Sequence, residues 1–496
     1  MDLMLSLEYD TSVPLFRRLS DALRKAIIEG RVKPGETLPS VRELSANLTI
    51  SRSTVLRSFQ DLQGQGYIES TRGTATSVVR NLPGDISILR KRRVLKSQLL
   101  AAPPFSAFAQ RMLNNETLET IEEPHVMQSN YGGAPLNLVP LQQWKQLLID
   151  HCRFKDLSRL AYSTDSFGYT PLRESLTAYL SRSRGVDCSA HQVAVFAGRE
   201  LRLDLICRLL LDENDHVAVE NPGFAQFRHR ISQYGAKVVP ISVDRFGLDV
   251  SKLEQSGLRF KFVLVAPSHH EPLGVTMSLE RRHQLIDWAR RTNTFLIEDD
   301  FDCEYRYCKH ALPSLQGLDR DGLVIYMRCF WRLLFPLMRL GFLVLPDRLI
   351  DAVRQAKNKV ERDPPLLEQF ALTSFINEGH LERHIHRTQP VYSRRRQALI
   401  YALTKHFGQS ISIYPSTSGL EILVKVNLPV TEQLVLDISE RCGISFVSTS
   451  SYYLNCPKHL EFMVPFGHLS EEALENGVSA MAKELSNAEQ ILTPVL

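Results

Sequence analysis

Three segments near the start of the chain carry apolar positions at helical spacing. Leu15, Leu19, Leu23, Ala26 and Ile27 mark one face of a helix that stops near Gly30, ahead of the turn Pro34-Gly35. Ser40-Val41-Arg42-Glu43 has the form of a capping box, in which serine and glutamate side chains satisfy each other's backbone N–H groups. A second helix is therefore expected from Ser40, burying Leu44 and Leu48. After the short connection Thr49-Ile50, Ser51 is an N-cap for a third helix that buries Val55, Phe59 and Leu62 and ends at Gly64 and Gly66. Tyr67-Ile68-Glu69 and Thr76-Ser77-Val78-Val79 flank Arg72-Gly73 and predict a two-stranded hairpin.

From about residue 126 the pattern changes. Short apolar runs recur at Val193–Phe196, Val217–Val219, Val238–Val243, Phe262–Val265, Phe295–Ile297, Leu323–Tyr326 and Phe342–Leu345. Most are separated by enough chain for a helix, which predicts a mixed, mainly parallel α/β sheet with helices on both faces. Strand-like Leu420–Val426 and helix-like Glu471–Leu485 predict a smaller α+β lobe at the end. Residues 81–125 read as a connector, with the basic run Arg90-Lys91-Arg92-Arg93, Lys96 and the stiff Ala102-Pro103-Pro104. Such a linker lets two domains move, and its basic run is either solvated or laid on DNA backbone. The expected organisation is thus 1–80, a linker over 81–125, and 126–496.

Composition narrows the class. The chain has 496 residues, 23% charged and 44% hydrophobic, which is soluble, globular and multidomain rather than disordered. No stretch approaches the roughly 18 apolar residues of a membrane span, and Met1-Asp2-Leu3-Met4 has no signal-peptide pattern. The eight cysteines show no Cys-x-x-Cys spacing, and only Cys303 and Cys308 are close. They read as reduced thiols of a cytosolic protein, with no zinc site and no disulfide frame. A net charge of +4 is too small to indicate a nucleic-acid partner by itself.

The chemistry lies in the pattern. Two helices on a very short turn, followed by a hairpin, make a winged helix-turn-helix. Ser51, Arg52, Ser53 and Arg57 crowd the first half of the third helix, where side chains reach base edges and phosphates of double-stranded DNA. Arg42 is placed to clamp a backbone phosphate, and Gly73 sits in the wing. In the larger domain, ligands are expected beyond the carboxyl ends of the strands. There stand Gly198-Arg199-Glu200, Glu298-Asp299-Asp300 and the stretch Arg328 to Arg339. Gly198 opens a helix whose N–H groups suit a phosphate, Asp299 suits a protonated ring nitrogen, and Arg339 suits a phosphate. For each residue alone, a structural ion pair is the competing reading.

The order of these motifs carries a resemblance. Pro14-Leu15, Gly30-Arg31-Val32-Lys33-Pro34-Gly35, Leu38-Pro39-Ser40-Val41-Arg42-Glu43-Leu44 and Ser51-Arg52-Ser53-Thr54-Val55 resemble the GntR family. The remainder resembles fold-type I aminotransferases. The matches are Gly168-Tyr169-Thr170-Pro171-Leu172-Arg173, Glu220-Asn221-Pro222-Gly223-Phe224, Pro267-Ser268-His269, Glu298-Asp299-Asp300-Phe301-Asp302, Leu334-Phe335-Pro336 and Arg339-Leu340-Gly341. Together they look like the MocR/PdxR type of bacterial transcriptional regulator. The resemblance implies a cytoplasmic homodimer whose aminotransferase-like domain senses pyridoxal 5'-phosphate, an amino compound, or both. It also implies an Asp on the pyridine nitrogen, a Tyr two residues later on the ring hydroxyl, a Lys covalently linked to the cofactor, and an Arg on its phosphate. Asp299 and Arg339 match the first and last of these.

The others do not match. The family segment Gly-Thr-Phe-Ser-Lys falls on Arg328-Cys329-Phe330-Trp331-Arg332, which sets Arg332 at the lysine. A guanidinium stays protonated and offers no amine nucleophile. Phe301 replaces the Tyr, Phe224 a common Tyr, Arg199-Glu200 a phosphate-facing Ser-Gln, and His270 a Gln; Lys309 is the nearest other amine in sequence. The expectation is a sequence-specific DNA-binding regulator with a non-catalytic, effector-sensing and dimerising domain. Its cofactor site, vestigially Gly198, Arg199, Asp299, Phe301, Arg332 and Arg339, lacks covalent pyridoxal phosphate, and a small anionic or amino-compound effector is an alternative occupant. Extra positive charge at Arg199, Arg328 and Arg332 either favours an anion or pairs internally with Glu200 or Asp299. The rival expectations are a working aminotransferase and a purely structural dimerisation scaffold.

Overall fold

In a computed structural model of the chain, residues 13–70, 75–82, 105–114, 138–153, 165–307, 312–334, 337–362, 364–455, 457 and 459–492 are described. They fall into two compact units, residues 1–104 and 105–496.

The smaller unit follows its apolar spacing. Helices α1 (Leu15–Ile28), α2 (Val41–Leu48) and α3 (Arg52–Gly64) bury Leu19, Leu23, Ala26, Ile27, Leu44, Val55, Phe59 and Leu62 in one core. Both elements of the Ser40–Glu43 capping box form, and Leu48 is only partly buried. The turn between α2 and α3 pivots on Thr49, whose φ of 54° is left-handed, and Ser45 Oγ donates to Ile50 O at 2.6 Å. Strands β1 (Ile68–Glu69) and β2 (Ser77–Val78) pair antiparallel as the wing. Gly73 and the basic run Arg90 to Lys96 lie outside the described residues.

The larger unit begins with α4 (Ala107–Asn114), inside the stretch read as a linker. Arg111 Nε donates to Gln233 O at 2.9 Å, which holds that helix to the larger unit. Helix α5 (Thr170–Arg184) precedes strand β3 (Val193–Phe196) and helix α6 (Arg199–Leu210). Then come β4 (His216–Asn221), α7 (Ala225–Gln233), β5 (Lys237–Asp244), β6 (Gly247–Leu248), β7 (Phe260–Val265), β8 (Phe295–Asp299), β9 (Val324–Cys329) and β10 (Gly341–Val344). They form one eight-stranded sheet in the order β3-β10-β9-β8-β7-β4-β5-β6. The pairs β4–β5, β4–β7, β7–β8 and β8–β9 are parallel, while β10 runs against both its neighbours and β6 returns against β5. Apolar clusters cover the sheet, as its almost uniformly apolar strands require.

The long helix α8 (His380–Phe407) leads to the small lobe, a four-stranded antiparallel sheet in the order β11-β12-β14-β13. Its strands are β11 (Ile411–Ile413), β12 (Glu421–Val426), β13 (Val447–Ser448) and β14 (Leu460–Pro465), followed by α9 (Glu471–Leu492). Among the described residues, no helix is long and apolar enough to cross a membrane.

Candidate functional site

On the smaller unit, α3 is two-faced. Val55, Ser58, Phe59 and Leu62 are buried, while Arg52, Ser53, Leu56, Arg57 and Gln60 are exposed on the opposite side. The Ser51 hydroxyl is engaged as the helix cap, accepting from Thr54 N at 3.1 Å and sharing hydrogen bonds with Ser53 and Thr54 hydroxyls. Arg57 lies 4.1 Å from the centroid of the Phe16 ring, a cation–π contact that sets its direction. Arg42 is exposed on α2. Leu56, half exposed one turn beyond Arg52, escapes sequence reasoning because an isolated leucine reads as core.

In the larger unit the carboxyl ends of β4, β7, β8 and β9 open into a cleft. Two adjoining cavities open there, each of about 30 Å³. Phe224, Phe227, Glu271, Asp299 and Phe301 line both, and Arg332 with Asp302 lines the second. The structure thus brings Asp299, Phe301 and Arg332 together. It does not bring Arg339, which is exposed and lines neither cavity, nor Gly198, which caps α6. The Arg199 side chain and Lys309 lie outside the described residues.

Arg332 is enclosed by carboxylates. Its Nη1 donates to Glu421 Oε2 at 2.8 Å, and Nη2 to Glu421 Oε1 and Glu271 Oε2 at 3.2 Å each. Its Nε is 3.8 Å from Asp302 Oδ2, and the Phe301 ring centroid is 6.0 Å away. The anticipated internal pairing of Arg332 therefore occurs, but with Glu421 and Glu271 in place of Glu200 or Asp299. Arg328 likewise pairs with Glu304. The reason is topological: β12 of the small lobe delivers Glu421 across the strand ends, and no local pattern announces that meeting. The one available signal is an acidic residue near the start of the strand-like run Leu420–Val426.

A second layer holds these groups in place. His269 Nδ1 is 2.8 Å from Ser418 Oγ, and its Nε2 is 3.4 Å from Glu421 Oε1. Gly419 makes that approach feasible, because its φ is +88° and a Cβ there would lie 2.5 Å from His269 Cε1. The Tyr452 hydroxyl donates to Glu271 Oε1 at 2.5 Å. His269, Asp302 and Glu421 offer a ring nitrogen and carboxylate oxygens within 4.8 Å of one another, and the cation among them is the Arg332 guanidinium.

The electrostatics follow from this layout. Burial raises the Glu421 carboxyl, but Arg332 and His269 outweigh it and hold the group down at about 2. Asp302 is pushed up to about 6 by burial, with Arg332 only partly opposing. Burial disfavours a charged His269, yet its bond to Glu421 raises the ring above its ordinary value. Glu220, at the end of β4, accepts from Ala266 N at 2.9 Å, and burial pushes it up to about 8. Its neighbour His270, 3.8 Å away, is driven down to about 3 by burial and gives it no compensating charge.

Comparison with known proteins places both units. A family of bacterial regulatory proteins, the gntR family, matches residues 15–78, and the aminotransferase class I and II family matches residues 128–481. The chain is therefore a DNA-binding transcriptional regulator of GntR type whose second unit has the aminotransferase fold. It belongs to the MocR/PdxR family of such fused regulators. It is 30% identical over 478 residues, 96% of this chain and 95% of the relative, to the "Probable rhizopine catabolism regulatory protein MocR" of Rhizobium meliloti. It is 25% identical over 464 residues, 94% of each chain, to the pyridoxine biosynthesis transcriptional regulator PdxR of Corynebacterium glutamicum. The fold is similar to that of LysN, an α-aminoadipate aminotransferase from Thermus thermophilus, with a TM-score of 0.69 and 22% identity over 78% of this chain and 98% of that one.

Proposed function

We propose that the larger unit is an effector-sensing and dimerising domain that has lost aminotransferase chemistry, so that the protein regulates transcription without catalysis. Fold-type I enzymes hold pyridoxal phosphate through a lysine, and this cleft does not suit that attachment. Among the described residues lining its two cavities there is no lysine. Arg332, at the position the resemblance gives to that lysine, is committed to Glu421 and Glu271. That commitment is the observation that carries the reading, because a guanidinium held by carboxylates stays protonated and cannot add to an aldehyde. Phe301 also lacks the hydroxyl expected beside the ring.

Incubating the full-length protein with pyridoxal phosphate and reducing with borohydride tests this directly. The intact mass should remain that of the polypeptide. A pyridoxyl adduct mapped to a peptide of the larger unit would overturn the proposal.

For the smaller unit, we assign base contact to Arg52 and Arg57, assisted by Ser53 and Leu56, and backbone contact to Arg42 and the wing at Gly73. The exposed arginines on one side of α3 support this, since planar guanidinium groups pair bidentately with guanine edges. Ser51 serves chiefly to cap the helix that presents them.

A further inference from the structure

Between α5, α8 and Arg328 of β9, sharing Glu304 with the cleft, lies a further cavity of about 200 Å³. Arg184, Arg306 and Arg328 line it together with Tyr179, Glu304 and His386. Two of these arginines have carboxylate partners. Arg184 is bonded to Asp300 at 2.7 and 3.1 Å and to Ser268 at 2.6 Å, and Arg328 Nη2 donates to Glu304. The acidic Glu382 at the wall meets Arg182 through Oε1 at 3.3 Å, while its buried Oε2 has no hydrogen-bond partner among the described residues. Arg306 remains: among the described residues, its guanidinium has no hydrogen-bond acceptor and no carboxylate within ion-pair distance. Arg328 is only 1% exposed, yet its Nε and Nη1 have no acceptor, while the Tyr179 and Phe330 rings flank it at 5.4 Å each.

We propose that this cavity binds a small oxyanion, a carboxylate or a phosphate, held by Arg306 and the unmatched N–H groups of Arg328. Buried guanidinium donors without acceptors cost free energy until something accepts from them. The paired charges around the cavity cancel, so the excess cation of Arg306 selects an anion over a neutral acceptor. The planar fork of arginine suits both carboxylate and phosphate. Burial, and then the neighbouring Arg184, press against the Arg306 charge and outweigh the support it draws from Asp300 and Glu304, a penalty that an anion relieves. The resemblance sets a glycine at position 328, where this chain carries the arginine that completes the site. Of the residues lining the site, Glu304 also lines the second cavity of the cleft, whereas Arg306 and Arg328 line neither cleft cavity, so the site is read apart from the cleft through them.

The test is calorimetric titration of the full-length protein, in chloride buffer at constant ionic strength, with inorganic phosphate and separately with succinate. At least one should bind saturably at one site per chain in the millimolar range or tighter, and the anion that binds identifies the source. Arg306→Gln should weaken that binding by about tenfold, the loss of one charge-assisted contact. Phenylglyoxal labelling of the wild-type chain needs no variant to fold: the same anion should protect Arg306 in the peptide map. Absence of saturable binding by both anions, unaltered binding by a folded Arg306→Gln, or equal labelling of Arg306 with and without anion would each overturn the assignment.

Discussion

Arg332 and Glu421 stand 89 residues apart in the chain and meet through hydrogen bonds of 2.8 and 3.2 Å, joining the helical turn Trp331–Leu334 that follows β9 to the first residue of β12. The pair ties the main sheet to the small lobe at the position that the resemblance gives to the lysine of a cofactor enzyme. A buried pair of this kind adds little net stability over an apolar substitute, but removing one partner strands the other charge.

Glu421→Gln retains shape and removes the charge. The expected loss is on the order of 3 kcal/mol, softened by Glu271 and Asp302, which stay beside the guanidinium. All three tryptophans, Trp144, Trp288 and Trp331, belong to the larger unit, so a denaturant titration followed by fluorescence reads that unit alone. An unchanged midpoint would show that the pair carries no structural weight.

Glu220 makes stability depend on pH with a defined sign. Its folded pKa of about 8 lies above the ordinary 4.5, so the folded chain holds the proton more tightly than the unfolded one. Its stabilising contribution is complete below about pH 4.5 and is lost as pH rises through about 8. Glu220→Gln cannot ionise, so its melting temperature relative to wild type should rise between mildly acidic and alkaline buffer. A difference that is flat across that range contradicts the assignment of a neutral carboxyl at this strand end.

Arg52→Ala should weaken binding to the cognate promoter by about tenfold or more and flatten discrimination against scrambled duplex. Arg42→Ala should weaken both duplexes alike and reduce the salt dependence by about one phosphate contact. Fluorescence anisotropy at several salt concentrations separates the two behaviours. If Arg52→Ala lowers both duplexes equally, base contact lies elsewhere on α3.

Phe16 orients Arg57 from across the helix pair, at 4.1 Å from its guanidinium. Its backbone carbonyl accepts from Ser58 Oγ at 2.6 Å, a bond that side-chain truncation leaves in place. Phe16→Ala is therefore expected to lower promoter affinity more than it lowers the melting temperature of the smaller unit. Unaltered affinity would mean that Arg57 needs no such support.

Much of this architecture is legible from local rules. The capping box at Ser40, the cap at Ser51 and every apolar run named as a strand appear in the structure, because period and capping are set by neighbours in sequence. The grouping of Asp299 and Arg332 at one edge follows from strand ends, which sequence order also reveals. The resemblance puts Arg339 with them, yet it lies exposed, outside both cavities.

The identity of charged partners belongs to a different level. Nothing around Arg332 in the chain points to Glu421, and nothing around Arg328 explains why it buries its guanidinium against Tyr179 and Glu304. Helices and strands obey spacing rules a few residues long, so the linear chain states them outright. Ion pairs in a dry interior are settled by whichever distant carboxylate the topology brings within reach, and only the folded arrangement of sheet and small lobe makes that choice.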